Sequence, residues 1–163
     1  MKPYLRRFTA DDWQAFKAIR LETLEKEQHF MGAPLAHEQT FPDQEWMARL
    51  SNPDSAIWGL YDGDTCIGLT GVVKDRDNPE VARLIASYIR QEYRNRGLSA
   101  LFYQARIDWA REKGFKYAEV HHRQDNLASK AANQKFAFEH IGSKMIPWPD
   151  GTEDIQVSYR LTL

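Results

Sequence analysis

Three arginines, Arg90, Arg94 and Arg96, crowd the segment Arg90-Gln91-Glu92-Tyr93-Arg94-Asn95-Arg96-Gly97. Guanidinium groups grip phosphate oxygens in a planar fork, and a glycine beside them lets the backbone come close to a ligand. The chemistry open to such a turn is anion binding, with phosphate or pyrophosphate as the fitting ligand. An exposed turn carrying arginines only for solvation would read the same way, so the flanking elements must decide. Covalent chemistry has less support. The single Cys66 lies among apolar neighbours and reads as a buried thiol. The pair His121-His122 lacks the third ligand that a zinc site needs, and the chain has no Ser-His-Asp, metal-cluster or P-loop pattern.

The elements around the turn support anion binding. Before it, Arg83-Leu84-Ile85-Ala86-Ser87-Tyr88-Ile89 is a β-branched and aromatic run that predicts a strand. After it, Leu98, Leu101, Phe102, Ala105 and Trp109 follow the helical period. The first amides of that helix have no intrahelical acceptor, and the macrodipole makes the same end electropositive. Strand, basic glycine turn and amphipathic helix together form an anion site.

The segment Tyr88-Ile89-x-x-Glu92-Tyr93-Arg94-x-x-Gly97-x-Ser99 resembles the acetyl-CoA-binding motif of the GNAT N-acetyltransferase superfamily. That motif is an Arg or Gln, two residues, a Gly, one residue and a further small residue. Arg94 and Gly97 match it, with Ser99 in the last position. The segment Asn126-x-x-Ser129 to Phe138 resembles the family's later Asn-x-x-Ala/Ser and Gly-Phe stretch, with Ala137 where the Gly usually stands. The likeness runs from Tyr4 to the C-terminus. It implies one GNAT domain over residues 1–163 with an α+β fold of three layers, α/β/α. Its mixed central sheet would have about seven strands flanked by about four helices.

Local signals along the chain agree with this plan. Tyr4–Phe8 predicts a short strand, and Thr9 with Asp12 three residues on resembles a capping box for the helix carrying Trp13, Phe16, Ile19, Arg20 and Leu24. That helix should stop near Glu27. The loop 28–42 is the candidate for acceptor selection, because the resemblance places the equivalent loop beside the acceptor pocket. A second short helix is expected over Pro42–Leu50, then strands over 55–61 and 65–74 around the hairpin turn Asp62-Gly63-Asp64. Lys113-Gly114 is a helix stop, and Phe115–Arg123 predicts a strand parallel to 82–90. Residues 125–138 predict the last helix, and 138–145 and 155–163 an antiparallel pair. The absence of a Gly-rich turn after the first strand argues against a dinucleotide-binding fold.

The resemblance implies acetyl-CoA as acyl donor, with no metal, and a primary amine on a small molecule or peptide as acceptor. The amides of Arg94, Asn95, Arg96, Gly97, Leu98 and Ser99 would hold the pyrophosphate, and the backbone of Tyr88 and Ile89 the pantetheine. Asn126, Ser129 and Asn133 would line the same channel. A strand amide near Ile89, freed by a β-bulge, would polarise the acetyl carbonyl, a contribution of ~3 kcal/mol for one such donor. An amine of pKa ~10.4 is almost all ammonium at neutral pH, so a base is useful. Glu119 is one candidate base, by likeness to a branch that acetylates protein N-termini. His121 is the other, by counting back from Asn126, and both share a strand face. The family's usual proton donor to the thiolate, a Tyr seven residues after the helix Asn, is replaced by Asn133, which cannot give up a proton. Tyr88 or Tyr103 would have to serve, or water.

With 163 residues and a 42% hydrophobic content the chain can bury one full core. A net charge of −1 gives no general pull toward nucleic acid or anionic membrane, and no apolar run is long enough to span a bilayer. The N-terminus has no apolar signal core, so a cytoplasmic location is expected. The resemblance also allows a homodimer. Acidic residues near the expected pocket, Glu22, Glu25, Glu27 and Glu38, would suit a cationic amine. The alternative class is a degenerate module that binds acyl-CoA without turnover, sustained by Asn133 and Ala137. A nucleic-acid-binding role for the basic turn is the weakest reading.

Overall fold

The computed structural model describes residues 2–163. Strand β1 (Tyr4–Arg7) leads through a 3-10 turn at Ala10–Asp12 into helix α1 (Trp13–Lys26). The Asp12 carboxylate accepts the Thr9 amide proton at 2.7 Å, so the expected acidic partner of the cap is present. Helix α2 (Leu35–Glu38) and helix α3 (Asp43–Ser51) follow, then strands β2 (Ser55–Asp62), β3 (Thr65–Lys74) and β4 (Val81–Ile89). Helix α4 (Ser99–Glu112) crosses to strand β5 (Tyr117–Arg123), helix α5 (Leu127–Lys135) and strands β6 (Glu139–Pro147) and β7 (Glu153–Thr162). Helix α2 is the one helix beyond the expected four, a single turn inside the 28–42 loop.

The seven strands form one sheet in the order β1-β2-β3-β4-β5-β7-β6. Every pairing is antiparallel except β4 with β5, which the α4 crossover makes parallel. Side chains on the two sheet faces feed two cores. Phe16 and Ile19 of α1 and Trp46 of α3 pack with Leu69 and Tyr88 on one face. Tyr103, Ile107 and Ala110 of α4 pack with Ala82, Leu84, Ala118 and Val120 on the other. Three layers result, as expected.

Two helix ends show how local chemistry sets these boundaries. Helix α4 closes with Gly114 at φ +84, the Phe115 amide bonding back to the Ala110 carbonyl and the Gly114 amide to Arg111. Helix α5 closes the same way, Phe138 to Asn133 and Ala137 to Gln134, with Ala137 at φ +64. Both are Schellman closures, and the second places an alanine in the left-handed region where its Cβ is crowded.

Candidate active site

The site is made by two strands parting. Strands β4 and β5 pair only from Val81 opposite Tyr117 to Leu84 opposite Val120. Beyond that, β4 continues along β3 to Ile89 and β5 along β7 to Arg123, so a gap opens between them. The register between β3 and β4 shifts here, with Thr70 opposite Ser87 and Gly71 opposite Ile85. Ala86, at φ +46, opposes no residue. A bulge adds local twist and bends its strand, which accounts for the divergence. The bulge expected near Ile89 therefore lies three residues earlier, because the register slips at Ala86 and Ile89 still pairs with Gly68. Arginine donors take β4 carbonyls at both ends of the gap: Arg106 Nη1 bonds Ile85 O at 3.4 Å and Arg94 Nε bonds Ile89 O at 2.7 Å.

A cavity of about 530 Å³ runs from the gap to the start of α4. Ile89, Arg94, Asn95, Gly97, Leu98 and Ser99 line it on the α4 side, and Asn126 and Ser129 on the α5 side. The amides of residues 95–99 have no acceptor among the described residues. Asn95 at φ +62 and Gly97 at φ +74 turn the backbone so that this is so. A Cβ built on Gly97 meets nothing within 4 Å, so its left-handed conformation, not crowding, is what requires glycine. The Arg94 guanidinium is bonded to Glu27 at 2.5 Å, which ties the turn to the end of α1 and leaves anion contact to the amides. Asn126 caps α5, its Oδ1 accepting the Ser129 amide at 3.1 Å.

The Arg96 and Tyr88 side chains turn away from the cavity, which leaves the roles expected of their backbones untouched, and the Asn133 side chain is shut behind Tyr103. Arg96 stacks over the Tyr93 ring and donates to the Glu92 carbonyl. Tyr88 points to the α1 face, where its hydroxyl donates to Glu22 at 2.9 Å, and it lines neither cavity described here. Burial and the Glu22 carboxylate raise its pKa, and its place outside both cavities keeps it from serving as the acid. Asn133 is 0% exposed and sits behind Tyr103, whose hydroxyl donates to Asn133 Oδ1 at 2.5 Å.

A second cavity of about 340 Å³ lies beyond the gap. The two share Ser87, Tyr103, Asn126, Ser129, Phe30 and Met31, so they meet at the bulge. Phe30, Met31, Gly32 and Ala33 bring the 28–42 loop to the wall of the second cavity, where acceptor selection was expected. The acidic lining expected for a cationic amine is not met: none of Glu22, Glu25, Glu27 and Glu38 lines this second cavity, and three of them are engaged by arginines. Glu22 pairs with Arg90, Glu27 with Arg94, and Glu38 with both Arg20 and Arg49.

His121 lines this cavity. Its Nδ1 lies 2.6 Å from Ser158 Oγ and its Nε2 3.2 Å from Glu119 Oε1. With the proton on Nε2 facing the carboxylate, Nδ1 accepts from the serine hydroxyl. Burial and then the Arg83 charge push the His121 pKa below its ordinary value. Glu119 is buried and lines neither cavity, with Oε2 accepting from two Arg160 nitrogens. The two candidate bases thus share a strand face as expected, but only the histidine reaches the cavity.

Tyr103 lines both cavities, stacked on Phe136 and with the Arg106 guanidinium 4.8 Å from its ring centre. Burial raises its pKa and the neighbouring Arg106 opposes the rise. Sequence reasoning passed over Arg106 and Arg83. A signal for Arg106 existed: it falls on the buried stripe of α4, between Phe102, Tyr103 and Ile107, where a charge is out of place. No signal marked Arg83. Among the described residues no group of three or more His, Cys, Asp or Glu could hold a metal ion, and no helix is long and apolar enough to cross a membrane.

Residues 14–138 match the family model described as the acetyltransferase (GNAT) family. A search of curated proteins finds no match. Solved structures share the fold. A GNAT-family acetyltransferase from Streptococcus pneumoniae superposes with a TM-score of 0.83 at 17% identity, covering 99% of this chain and 100% of its own. An N-acetyltransferase from Staphylococcus aureus Mu50 gives 0.82 at 18% identity, with 99% of each chain covered. The putative acetyltransferase yncA from Salmonella typhimurium, solved with its cofactor acetyl-CoA, gives 0.82 at 14% identity, covering 100% of this chain and 95% of its own.

Proposed function

We propose, since the chain belongs to the GNAT acetyltransferase family, that it moves an acetyl group from acetyl-CoA to a primary amine by direct attack within a ternary complex. The observation carrying this reading is the passage formed by two cavities that meet at the Ala86 bulge, with acceptor-free amides at its outer end. A structure of yncA holds acetyl-CoA, and the residues here fit the same cosubstrate. The amides of residues 95–99 suit the pyrophosphate, and the unpaired edge of β4 suits the amide-rich pantetheine. When bound, the cosubstrate supplies a thioester carbonyl open to nucleophilic attack.

The chain's own groups do the rest. Backbone donors at the Ala86–Ser87 bulge polarise the carbonyl oxygen, the place where fixed dipoles count most. His121, kept neutral by burial and by Arg83, takes the ammonium proton at Nδ1 through the Ser158 hydroxyl that donates there, so that the amine lone pair is free. The new N–C bond forms as the C–S bond breaks, Tyr103 gives its proton to the departing sulfur, and the second proton shed by the acetylated nitrogen returns the phenolate to phenol. Asn133 Oδ1 holds that hydroxyl in the resting site and is released as the proton moves to the sulfur, and Arg106 beneath the ring steadies the transient phenolate. Glu119 positions His121 through Nε2. Cys66 accounts for no step: burial raises its pKa and it lines neither cavity. A binding module without turnover drew its support from Asn133 and Ala137, and Ala137 keeps the left-handed closure that a Gly would make. The Tyr103 hydroxyl beside the Asn133 amide supports catalysis instead.

The test is calorimetric titration of acetyl-CoA and of 3′-dephospho-CoA against wild type and Gly97→Trp, followed by thiol release with a panel of amines. Micromolar binding of acetyl-CoA, lost in the variant, and amine-dependent thiol release are expected. A folded wild type that fails to bind acetyl-CoA would overturn the reading.

A further inference from the structure

The cavity beyond the gap carries an excess of positive charge in a chain whose net charge is −1. Arg20, Arg49, Arg83 and Arg106 line it, and no Asp or Glu does. Two carboxylates beside these arginines are shared, and Asp75, outside the lining, acts on His121. Glu38 serves Arg20 and Arg49 together, and Glu119, opposite Arg83 in the β4–β5 register, is held by Arg160 and His121. At the far rim Asp150 and Asp154 both bond Arg123. The Arg83 side chain makes no ion pair or hydrogen bond among the described residues, though its backbone pairs with β3 and β5.

Arg106 is the sharper anomaly. It is 2% exposed, no carboxylate pairs with it, and its Nη2 has no hydrogen-bond partner. Its remaining donors go to Phe102 O, Ile85 O and Ser87 Oγ, which aim the guanidinium at the bulge where the cavities meet. Burial pulls its pKa down to about 10, with Tyr103 opposing the fall. An unpaired buried cation is costly to keep, and stacking on Tyr103 is the one packing contact that speaks for it on an otherwise apolar helix face.

From this, and resting on the acetyltransferase reading, we propose that the acceptor cavity takes a carboxylate, carried by the amine substrate itself: the acceptor is an amino acid or similar aminocarboxylate. Arg83 is the direct partner of that carboxylate, and Arg106 supplies the field behind it. The arrangement also serves the reaction. A cationic cavity disfavours an ammonium and favours the neutral amine, while the substrate's carboxylate offsets the cost of entry. A simple cationic amine gains nothing from such a wall.

The experiment compares kcat/KM for proteinogenic amino acids, each against its own carboxamide, with acetyl-CoA as donor and with succinyl-CoA in parallel. The free acids should exceed their amides by about tenfold or more, the discrimination expected of one charge-assisted contact. Arg83→Gln should bring the ratio close to one, and Arg83→Lys should restore part of it. Arg106→Gln should lower the ratio as well. Its acetyl-CoA titration, compared with wild type, shows whether that buried site still folds. Equal rates for acid and amide, or preference for polyamines or lysine peptides, would overturn the inference and leave the transferase reading intact. Preference for succinyl-CoA with no acid-over-amide discrimination would put the carboxylate on the acyl donor and equally overturn it. Failure to bind acetyl-CoA would remove both readings together.

Discussion

The hydroxyl of Tyr103 donates to Oδ1 of Asn133 at 2.5 Å, joining α4 to α5 at the point where the two cavities meet. The side chain that usually supplies a phenol from α5 is an amide here, and a phenol from α4 reaches it. Tyr103→Phe is expected to reduce kcat about 100-fold, the lower range for a lost general acid, while acetyl-CoA affinity changes little. The same change leaves the buried Asn133 without its partner and should cost about 1–3 kcal/mol of stability. Thiol-release kinetics below the variant's melting temperature separate the two effects. An unchanged kcat would assign protonation of the thiolate to water.

His121 should set the acidic limb of the pH profile. A base that must be neutral loses activity as pH falls through its pKa. Burial, with Arg83 adding to it, lowers that pKa, so the limb in kcat/KM should lie below the ordinary value of 6.5. Arg83→Gln removes a repelling charge and should move the limb upward. His121→Asn should abolish the limb and slow turnover about 100-fold. A profile unchanged in both variants would point to a different base.

Glu38 is the carboxylate on which the acceptor loop depends, its side chain 5% exposed between Arg20 and Arg49. Burial pushes its pKa up, but hydrogen bonds from both arginines outweigh this and hold it below 4.5. A depressed carboxylate contributes stability that is present above its unfolded pKa and lost as pH falls through the folded one. Glu38→Ala should therefore cost about 2–3 kcal/mol at neutral pH, near the low end for a broken ion pair because Arg49 is partly solvated. The gap between wild type and variant should narrow below pH 4.5, as read by urea unfolding across pH. A gap constant with pH would show that the pair contributes only packing.

Ala137 occupies the left-handed position that Gly114 occupies at the other Schellman closure. Relieving Cβ crowding gains about 1–2 kcal/mol, less about 0.5–1 kcal/mol for the extra freedom of glycine when unfolded. Ala137→Gly should thus stabilise the protein by up to about 1.5 kcal/mol, a rise in Tm of about 6 °C at most for a chain this size. Calorimetry checks it, and a lower Tm would mean that the alanine methyl is needed for packing.

Much of this protein is determined by neighbours in sequence. The strand–turn–helix unit at 81–112, the stop at Gly114, the Asn126 cap and the hairpin at Gly63 all follow from the conformations open to a few adjacent residues, and the structure shows each of them. The anion end of the site was legible for the same reason: backbone amides are exposed wherever a helix begins, and Gly97 admits the turn. The catalytic end was decided only by tertiary structure. The bulge sits at Ala86, not near Ile89, because β3 and β4 fix their register along their whole length. Tyr103 meets Asn133 across thirty positions, and Glu119 is taken by Arg160 from a strand that arrives last. The charge of the acceptor cavity belongs to this second kind. Whether an arginine is paired depends on which carboxylates the folded chain brings beside it, and a string of residues does not contain that distance.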